Sequence, residues 1–531
     1  MGSDLSNLAG LYLHDAVLKS CASHGAHAAI IDISLPQDDP NRSLSYSRYG
    51  EIVEALARGL VSRGIRPGDV IAIYLPNCWE FAAAYHAATL AGAIPTPLNP
   101  SYRERELRFQ VKDSGAQWLI TDGALVAGMN LAACTSLTTI VTTRNHADVS
   151  VPFAALLQPA RASLPTPEKS TSETIAALPY SSGTTGMPKG VMLSHSNLVT
   201  NVFQYLDASK GSASRLYQRV LCFLPLYHIY GLNVILNPTL LVGGTLVLMQ
   251  RFDVNIALQT LVEEQITYLP QVPPVMNAFC LAAERGEFPK THCVLGAKSG
   301  AAPLAPELAR RFTELTGIKV RQGYGMTEAS PVTHVGSFDG DLCPSDTVGH
   351  AVAQTDCRLL DEQGNEASSG EPGELVMRGP QFMLGYWRNE AATRAVMKDG
   401  WYWSGDVALR DDRGFYKIVD RRKEMIKYKG FAIAPAEVEA VLLEHPAVRD
   451  CGVIGWPDDV AGEVPCAFVV LTEKHKPSAK LEQELCSYVG EQLSGYKQPK
   501  QIIFASSIPR TPSGKVLRRE LRAASEGEKI L

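Results

Sequence analysis

The sequence predicts an α/β protein, with a large N-terminal domain of parallel-rich sheets and helices followed by a small α+β C-terminal domain. Three observations carry this expectation. Strand and helix patterns alternate from residue 69 onward, the texture changes after about residue 420, and the composition is that of a globular chain. The 531 residues are 45% hydrophobic and 20% charged, and 50 Lys plus Arg against 55 Asp plus Glu leave a formal charge of −5. Such a chain buries several cores and holds roughly two to four domains. Collagen, coiled coil and disorder are excluded.

From Asp69, an apolar run at 70–75 reads as a buried strand, 81–90 as a helix-spaced stretch, and Pro95, Pro97 and Pro100 as a punctuated turn. A helix pattern at 107–111 leads into a strand at 118–121. This order indicates βαβ units, hence parallel sheet covered by helices on both faces, and it continues past residue 300. Pro, Ser and Thr cluster between 159 and 174 as an exposed connection. Further on, Pro435 opens a short amphipathic helix carrying Val438, Val441 and Leu442. Strands follow at 451–454 and 467–471, then a helix carrying Leu481, Leu485, Val489 and Leu493. The expected division is 1–420 and 421–531, the second part being about 110 residues and large enough to form a domain.

Residues 421–531 hold 17 Lys plus Arg against 15 Asp plus Glu, a net +2 that leaves −7 on the rest. The cations bunch at Arg421, Arg422 and Lys423, at Lys427 and Lys429, and near Lys515. A nearly neutral chain has no general electrostatic reason to bind nucleic acid or a membrane surface. Any polyanion must therefore be held by a few placed cations. Eleven Cys are scattered from Cys21 to Cys486 without a C-x-x-C pair, which fits a reducing compartment better than a zinc site or a disulfide framework. No run approaches the roughly 20 apolar residues of a spanning helix. The N-terminus lacks a signal-peptide pattern, and Lys529-Ile530-Leu531 is not the peroxisomal tripeptide. The expected compartment is cytoplasmic.

The strongest local signal is Ser181-Ser182-Gly183-Thr184-Thr185-Gly186-Met187-Pro188-Lys189-Gly190. Its glycines let backbone N–H groups approach a ligand, its hydroxyls add donors, and Lys189 adds a point charge, all of which suit a polyphosphate. The spacing is not that of a Walker loop, and a flexible loop is the competing reading. Gln322-Gly323-Tyr324-Gly325-Met326-Thr327-Glu328 follows an apparent strand and offers a ring to stack on a base, a hydroxyl and a carboxylate. A carboxylate beside polyphosphate suits Mg²⁺, although alone the segment reads first as a strand-end turn. Asp406, in the segment 400–406, either accepts from ribose hydroxyls or caps a turn.

In this order these segments resemble the AMP-forming adenylate family of acyl-CoA synthetases, peptide-synthetase adenylation domains and beetle luciferases, over about residues 46–522. The resemblance is to the 4-coumarate:CoA ligase-like branch. It is carried by Leu178-Pro179-Tyr180, by Pro225-Leu226-Tyr227-His228-Ile229-Tyr230-Gly231, by residues 322–328, by Ile426-Lys427-Tyr428-Lys429-Gly430-Phe431 and by Pro512-Ser513-Gly514-Lys515. It implies an ATP-dependent acid:CoA ligase with a mobile small domain. A carboxylate attacks the α-phosphorus of ATP and releases pyrophosphate, then the CoA thiol displaces AMP. The carboxylate is already ionised at neutral pH, so the first step needs no general base. Its difficulty is anion against anion, on the order of 4 kcal/mol per unit charge pair at about 4 Å and an effective dielectric near 20. Lys189, Lys515 and a Mg²⁺ held near Glu328 are the implied counter-charges.

By the same resemblance, Ser181, Ser182, Gly183, Thr184, Thr185, Gly186 and Lys189 hold the ATP phosphates. Gln322, Gly323, Tyr324, Gly325, Met326 and Thr327 border the nucleotide, with Tyr324 on the adenine and Thr327 at the α-phosphate. Asp406 and Arg421 match ribose-binding positions, Lys423 the hinge, and Lys515 the adenylation lysine. After the small domain turns, Lys429 and Gly430 line a CoA channel with Arg251 near the CoA phosphates, and Lys427 matches a position that contacts the adenylate or assists thioester formation. His228 gates the carboxylate. Tyr230, Val234, Ala297, Gly300, Gly323, Pro331, Val332 and Val335 border the acyl pocket, which suits a hydroxycinnamate or other aryl acid and also admits a medium-chain fatty acid.

Three departures stand out. Ala432 replaces the Gln usual in 4-coumarate ligases and luciferases, His334 replaces a small apolar residue, and Lys298 lies beside the pocket segment. If His334 or Lys298 points inward, a more polar or anionic acid is favoured. The implied partners are a small carboxylic acid, ATP and CoA, for a monomer or homodimer with no nucleic acid and no integral membrane association. The alternatives are another acceptor (an amine, a carrier-protein thiol or O₂) and a noncatalytic nucleotide-binding protein. Intact Lys189, Glu328, Asp406, Arg421 and Lys515 weigh against the last.

Overall fold

A computed structural model describes residues 10–144, 150–166, 171–181, 187–209, 213–338, 343–361, 363–428, 431–458, 461–511 and 514–526. The apolar run at 70–75 is the strand Val70–Tyr74, and the helix-spaced stretch is Trp79–Leu90. That helix touches Ala28–Asp32 of one sheet and Val70–Tyr74 and Ile94–Pro97 of another. A helix lying between two sheets has no wet face, which is why it is apolar nearly all round.

The sheet of Val70–Tyr74 is parallel throughout, in the order Ile94–Pro97, Val70–Tyr74, Trp118–Thr121, Thr139–Thr142, Val151–Pro152. The other has nine strands. Its middle six run parallel, in the order Val320–Gly325, Gly296–Ser299, Tyr268–Gln271, Arg219–Cys222, Thr245–Leu248, Ala28–Asp32. Antiparallel strands close both ends, Val332–Val335 and His350–Ala351 at one and Ser43–Ser45 at the other. In parallel sheets the connections leaving the strands' C-terminal ends share one edge, where ligands bind. His228 and Tyr230, Gly300, residues 326–332 and Arg251 all follow such ends.

The parallel expectation is interrupted at Ile175–Ala177, Tyr180–Ser181 and Lys189–Ser194, which pair antiparallel, and the parallel run of the nine-stranded sheet ends at residue 325. From Asp356–Leu360 to Tyr416–Arg421 the chain builds a five-stranded antiparallel sheet around Trp401–Arg410. Its strands are mostly half-buried with broken alternation, as in the pattern of Asp356–Leu360, and so leave little trace in hydropathy.

The core changes between Ile418 and Ile426. The later residues form their own sheet, in which Val448–Asp458 and Gly462–Leu471 make one long hairpin where two short strands are expected. Alternation sorts its two faces. Val453 and Val469 pack with Val438, Leu442, Leu485 and Val489 of the helices Pro435–Glu444 and Ala479–Gln492, whereas Ile454, Phe468 and Val470 pack with Ile508, Val516 and Leu521. The architecture is therefore mixed α/β, with a large N-terminal and a smaller C-terminal domain. Among the described residues no helix is long and apolar enough to cross a membrane.

Candidate active site

Tyr180–Ser181 and Lys189–Ser194 are paired antiparallel strands. Ser181 pairs with Lys189 and Tyr180 with Gly190 in antiparallel register, and residues 182–186 lie outside the described structure. This strand pair is anchored by Tyr180, whose hydroxyl donates to Asp113 at 2.6 Å, and by Thr96, which donates to the Leu178 carbonyl at 2.8 Å. The Lys189 ammonium lies 5.0 Å from the centroid of the Tyr386 ring, and the Tyr386 hydroxyl donates to Glu328 Oε1 at 2.7 Å. Tyr386 thus bridges the cation over its ring face and the carboxylate at its hydroxyl. Glu328 is buried in a short turn, Thr327–Ala329, directly beyond the strand carrying Gln322, Gly323, Tyr324 and Gly325.

Asp406 does not cap a turn. It lies inside the strand Trp401–Arg410 and is 4% exposed. The Tyr324 hydroxyl donates to one of its carboxylate oxygens, and Arg421 Nε meets the other at 3.0 Å. Burial is the largest single influence on Arg421 and opposes its charge, but Asp406 together with Glu424 and the neighbouring tyrosines raises the guanidinium above its ordinary range. Lys515 arrives from the small domain. Gly514 holds φ +85°, and a Cβ there would sit 3.0 Å from Pro274, so only glycine lets this turn lie against the large domain. Thr511 N–H donates to the Lys515 carbonyl at 2.8 Å, and Arg510 donates to the Gly514 carbonyl at 2.8 Å while pairing with Asp450. Burial, then the charge of Arg421, lowers the Lys515 ammonium below the ordinary lysine range, against the pull of Glu424 and Asp406.

On the third side, His228 Nδ1 accepts from the Tyr230 N–H at 3.2 Å. Burial lowers this imidazole to about 4. At neutral pH it is uncharged, with its proton assigned to Nε2 by that bond. The Tyr230 hydroxyl donates to the Lys298 carbonyl at 3.1 Å, and a Cβ on Gly300 would come within 3.1 Å of the Tyr230 ring. Val234 lies in a π-helical turn, Gly231–Leu236, a rare form associated with functional sites. Ala297, Pro331, Val332 and Val335 are buried.

The directions of the two departing side chains are settled here. His334 packs between the Tyr324 and Tyr416 rings, with Nδ1 3.1 Å from Thr333 Oγ1, and burial lowers it to about 3. Lys298 is 1% exposed, with its amine over Tyr205 at 4.7 Å and Phe338 at 5.2 Å and its chain running beside Gly323. Its nitrogen has no hydrogen-bond partner among the described residues, nor do the Gln271 amide and Ser299 hydroxyl on the adjoining strand ends. Burial lowers the amine to about 7.

The structure therefore groups Lys189, Glu328, Tyr324, Asp406, Arg421 and Lys515. Arg251, Lys423 and Lys427 are exposed instead, and Lys429 and Gly430 lie outside the described residues, as do the side chains of Phe431 and Ala432. Tyr386 has no counterpart in the sequence analysis, because its partner Glu328 lies 58 residues away and nothing local marks it.

A family model described as AMP-binding enzyme matches residues 17–387, and one described as AMP-binding enzyme C-terminal domain matches 437–515. 4-coumarate–CoA ligase 1 of Arabidopsis thaliana is 37% identical over 97% of this chain and 92% of its own length. Among solved structures, ATP-bound MatB from Rhodopseudomonas palustris superposes with a TM-score of 0.85 at 27% identity, covering 98% of this chain and 100% of that one. A benzoate CoA ligase from Burkholderia xenovorans LB400 gives 0.85 at 26% identity, with 96% and 100% covered.

Removing the Asp406 carboxylate leaves a half-buried guanidinium and a half-buried hydroxyl without their partner. Asp406→Ala is expected to lower stability by about 1–3 kcal/mol, and Asp406→Asn by less, because the amide oxygen still accepts from Tyr324. Denaturant unfolding of both variants checks this, and equal losses would contradict it.

Proposed function

The chain belongs to the AMP-binding enzyme family, and from that membership we propose that it activates a hydroxycinnamate or another aryl acid with a polar ring substituent. It is an AMP-forming acid:CoA ligase, using ATP and CoA to convert a carboxylic acid through its adenylate to a thioester. The observation that supports the aryl choice is Lys298: a buried amine among aromatic rings, with no hydrogen-bond partner among the described residues. A phenolic hydroxyl both fits between such rings and bonds the nitrogen in either protonation state. A saturated chain would leave it unpaired at a cost of about 1–3 kcal/mol.

In this reading the acid lies between Tyr230, Val234, Ala297, Gly300, Gly323 and the Pro331–Val335 segment, with its carboxylate toward neutral His228. The Nε2–H donates to that carboxylate without adding charge. The 181–189 segment and Lys189 bind the phosphates. Tyr324, with Gln322, Gly325 and Met326 beside it, meets the adenine, Thr327 the α-phosphate, and Asp406 with Arg421 the ribose. The Asp406 carboxylate, already oriented by two partners, can accept from ribose hydroxyls without reorganising. Lys515 supplies the cation between carboxylate and α-phosphate, offsetting the repulsion that limits this step.

Glu328 fits a Mg²⁺ ligand, being a hard oxygen donor held by Tyr386, whose ring also carries Lys189, and one carboxylate plus nucleotide phosphates is that ion's habitual set. When bound, Mg²⁺ would neutralise phosphate charge. For the second step, residues 421–531 turn about Lys423, withdrawing Lys515 and presenting Lys427, Lys429 and Gly430, with Arg251 toward the CoA phosphates. Eleven free thiols support a reducing, cytoplasmic setting.

Lys515→Ala is expected to lower acid-dependent pyrophosphate exchange about 10²–10³-fold and to leave CoA attack on supplied acyl adenylate largely intact. Equal loss in both assays would refute the two-orientation scheme. The ammonium is the working form and is held below its ordinary range, so adenylation should decline on the alkaline side before the unperturbed lysine value of about 10.4. Lys515→Arg should push that limb upward in a pH–rate profile.

An acid panel assayed for AMP release with and without CoA tests the substrate and acceptor together. Ring-hydroxylated acids should lead, and CoA should accelerate turnover. Lys298→Met should lower kcat/KM for those acids by about tenfold relative to unsubstituted ones, or about 1.4 kcal/mol. The same variant should be more stable at neutral pH. In the native chain the unfolded state takes up a proton that the folded state releases, so stability rises with pH from about 7 toward 10.5. Thermal unfolding against pH should show that slope lost in Lys298→Met.

A further inference from the structure

The segment Ser330-Pro331-Val332 has its backbone held from several directions. The Ser330 carbonyl accepts from Asn233 Nδ2 at 2.6 Å, and the Pro331 carbonyl accepts from the Met326 N–H at 3.0 Å. Both polar groups of Val332 go to a single side chain: its N–H donates to Asn201 Oδ1 at 3.0 Å, and its carbonyl accepts from Asn201 Nδ2 at 2.7 Å. Asn201 is fully buried, and the same Nδ2 also donates to Gln204 Oε1 at 3.1 Å. Gln204 in turn donates to the Ala353 carbonyl at 2.6 Å, so the amide is itself fixed.

The location of Asn201 gives this clamp its meaning. It lies on the helix His195–Ala208, which follows directly on the strand Lys189–Ser194, and Ser194 and Asn197 lock that junction in a capping box. Tyr205, one of the rings over the Lys298 amine, is on the same helix. One helix therefore sets the position of the 330–332 wall and of the aromatic surface around Lys298. A side chain that cannot both donate and accept would leave two buried backbone groups of Val332 unpaired, and the wall would have to move to satisfy them.

We infer that Asn201 is a specificity-positioning residue for the acid, fixing the distance between the Pro331–Val332 wall and the Lys298 end of the pocket without touching the substrate. The inference rests on the reading of Pro331 and Val332 as pocket wall.

The experiment measures KM for a ring-hydroxylated aryl acid, for the unsubstituted acid and for ATP in Asn201→Ala and Val332→Ala. Asn201→Ala should raise KM for the hydroxylated acid by about tenfold, leave KM for ATP within about twofold, and narrow the preference between the two acids. Parallel rises for acid and ATP, or a fall in melting temperature with all KM values unchanged, would show a purely structural role and overturn the inference. If Val332→Ala alters acid preference and Asn201→Ala does not, the inference fails while the pocket reading stands. If Val332→Ala leaves acid preference untouched, the pocket reading fails and the inference with it. Should Asn201→Ala not accumulate folded, Asn201→Ser, which retains one donor and one acceptor, is judged by the same split and should show the smaller effect.

Discussion

Burying the Asp406 carboxylate inside a strand is tolerable only because three parts of the chain converge on it. An ionised carboxylate taken out of water without partners costs several kcal/mol. Here Tyr324 comes from the nine-stranded sheet, Arg421 from the end of the neighbouring antiparallel strand, and the Lys515 charge from the small domain. One charge thus ties the antiparallel pair that carries Asp406 and Arg421 to the nine-stranded sheet and to the small domain. The proposed ribose and α-phosphate positions flank this point, so the group that would orient the nucleotide is the group that registers the sheets.

The acyl side follows the opposite rule. Its wall is saturated, every carbonyl from 330 to 332 being held by an amide or a backbone N–H, while Lys298, Gln271 and Ser299 keep buried polar atoms without a partner among the described residues. Rigid walls beside unsatisfied groups favour a ligand that brings the missing partner, because selectivity by hydrogen bonding is largest where an unmatched ligand leaves a buried group unpaired. Neutral His228 fits the same economy of charge. The cations proposed for the phosphates are Lys189 and Lys515, and the imidazole beside the proposed carboxylate position adds none.

Much of the fold was legible. Trp118–Thr121 and Trp79–Leu90 announce themselves because a buried strand or helix is uniformly apolar, and Pro435 opens its helix where a proline costs no hydrogen bond. The antiparallel sheet around Trp401–Arg410 was not legible, since its half-buried strands interrupt the period that hydropathy reads. Within the site, Lys189, Glu328, Asp406, Arg421 and Lys515 were marked by local motifs. Tyr386 and Asn201 were not, because each acts on a partner 58 or 131 residues away and looks in sequence like an ordinary core residue.

What the sequence by itself determined is the inventory and its order: which cations, carboxylates and hydroxyls exist, which occur together in motifs, and that two cores lie in one chain. Tertiary structure alone decided where the ambiguous side chains go. Lys298 and His334 both sit on buried strands, yet one amine ends over Tyr205 and Phe338 while the other ring closes between Tyr324 and Tyr416. Strand alternation tells which neighbours share a face, but what covers that face is supplied by elements far away in the chain. The environment of a buried charge, and hence its chemistry, exists only once those elements have packed.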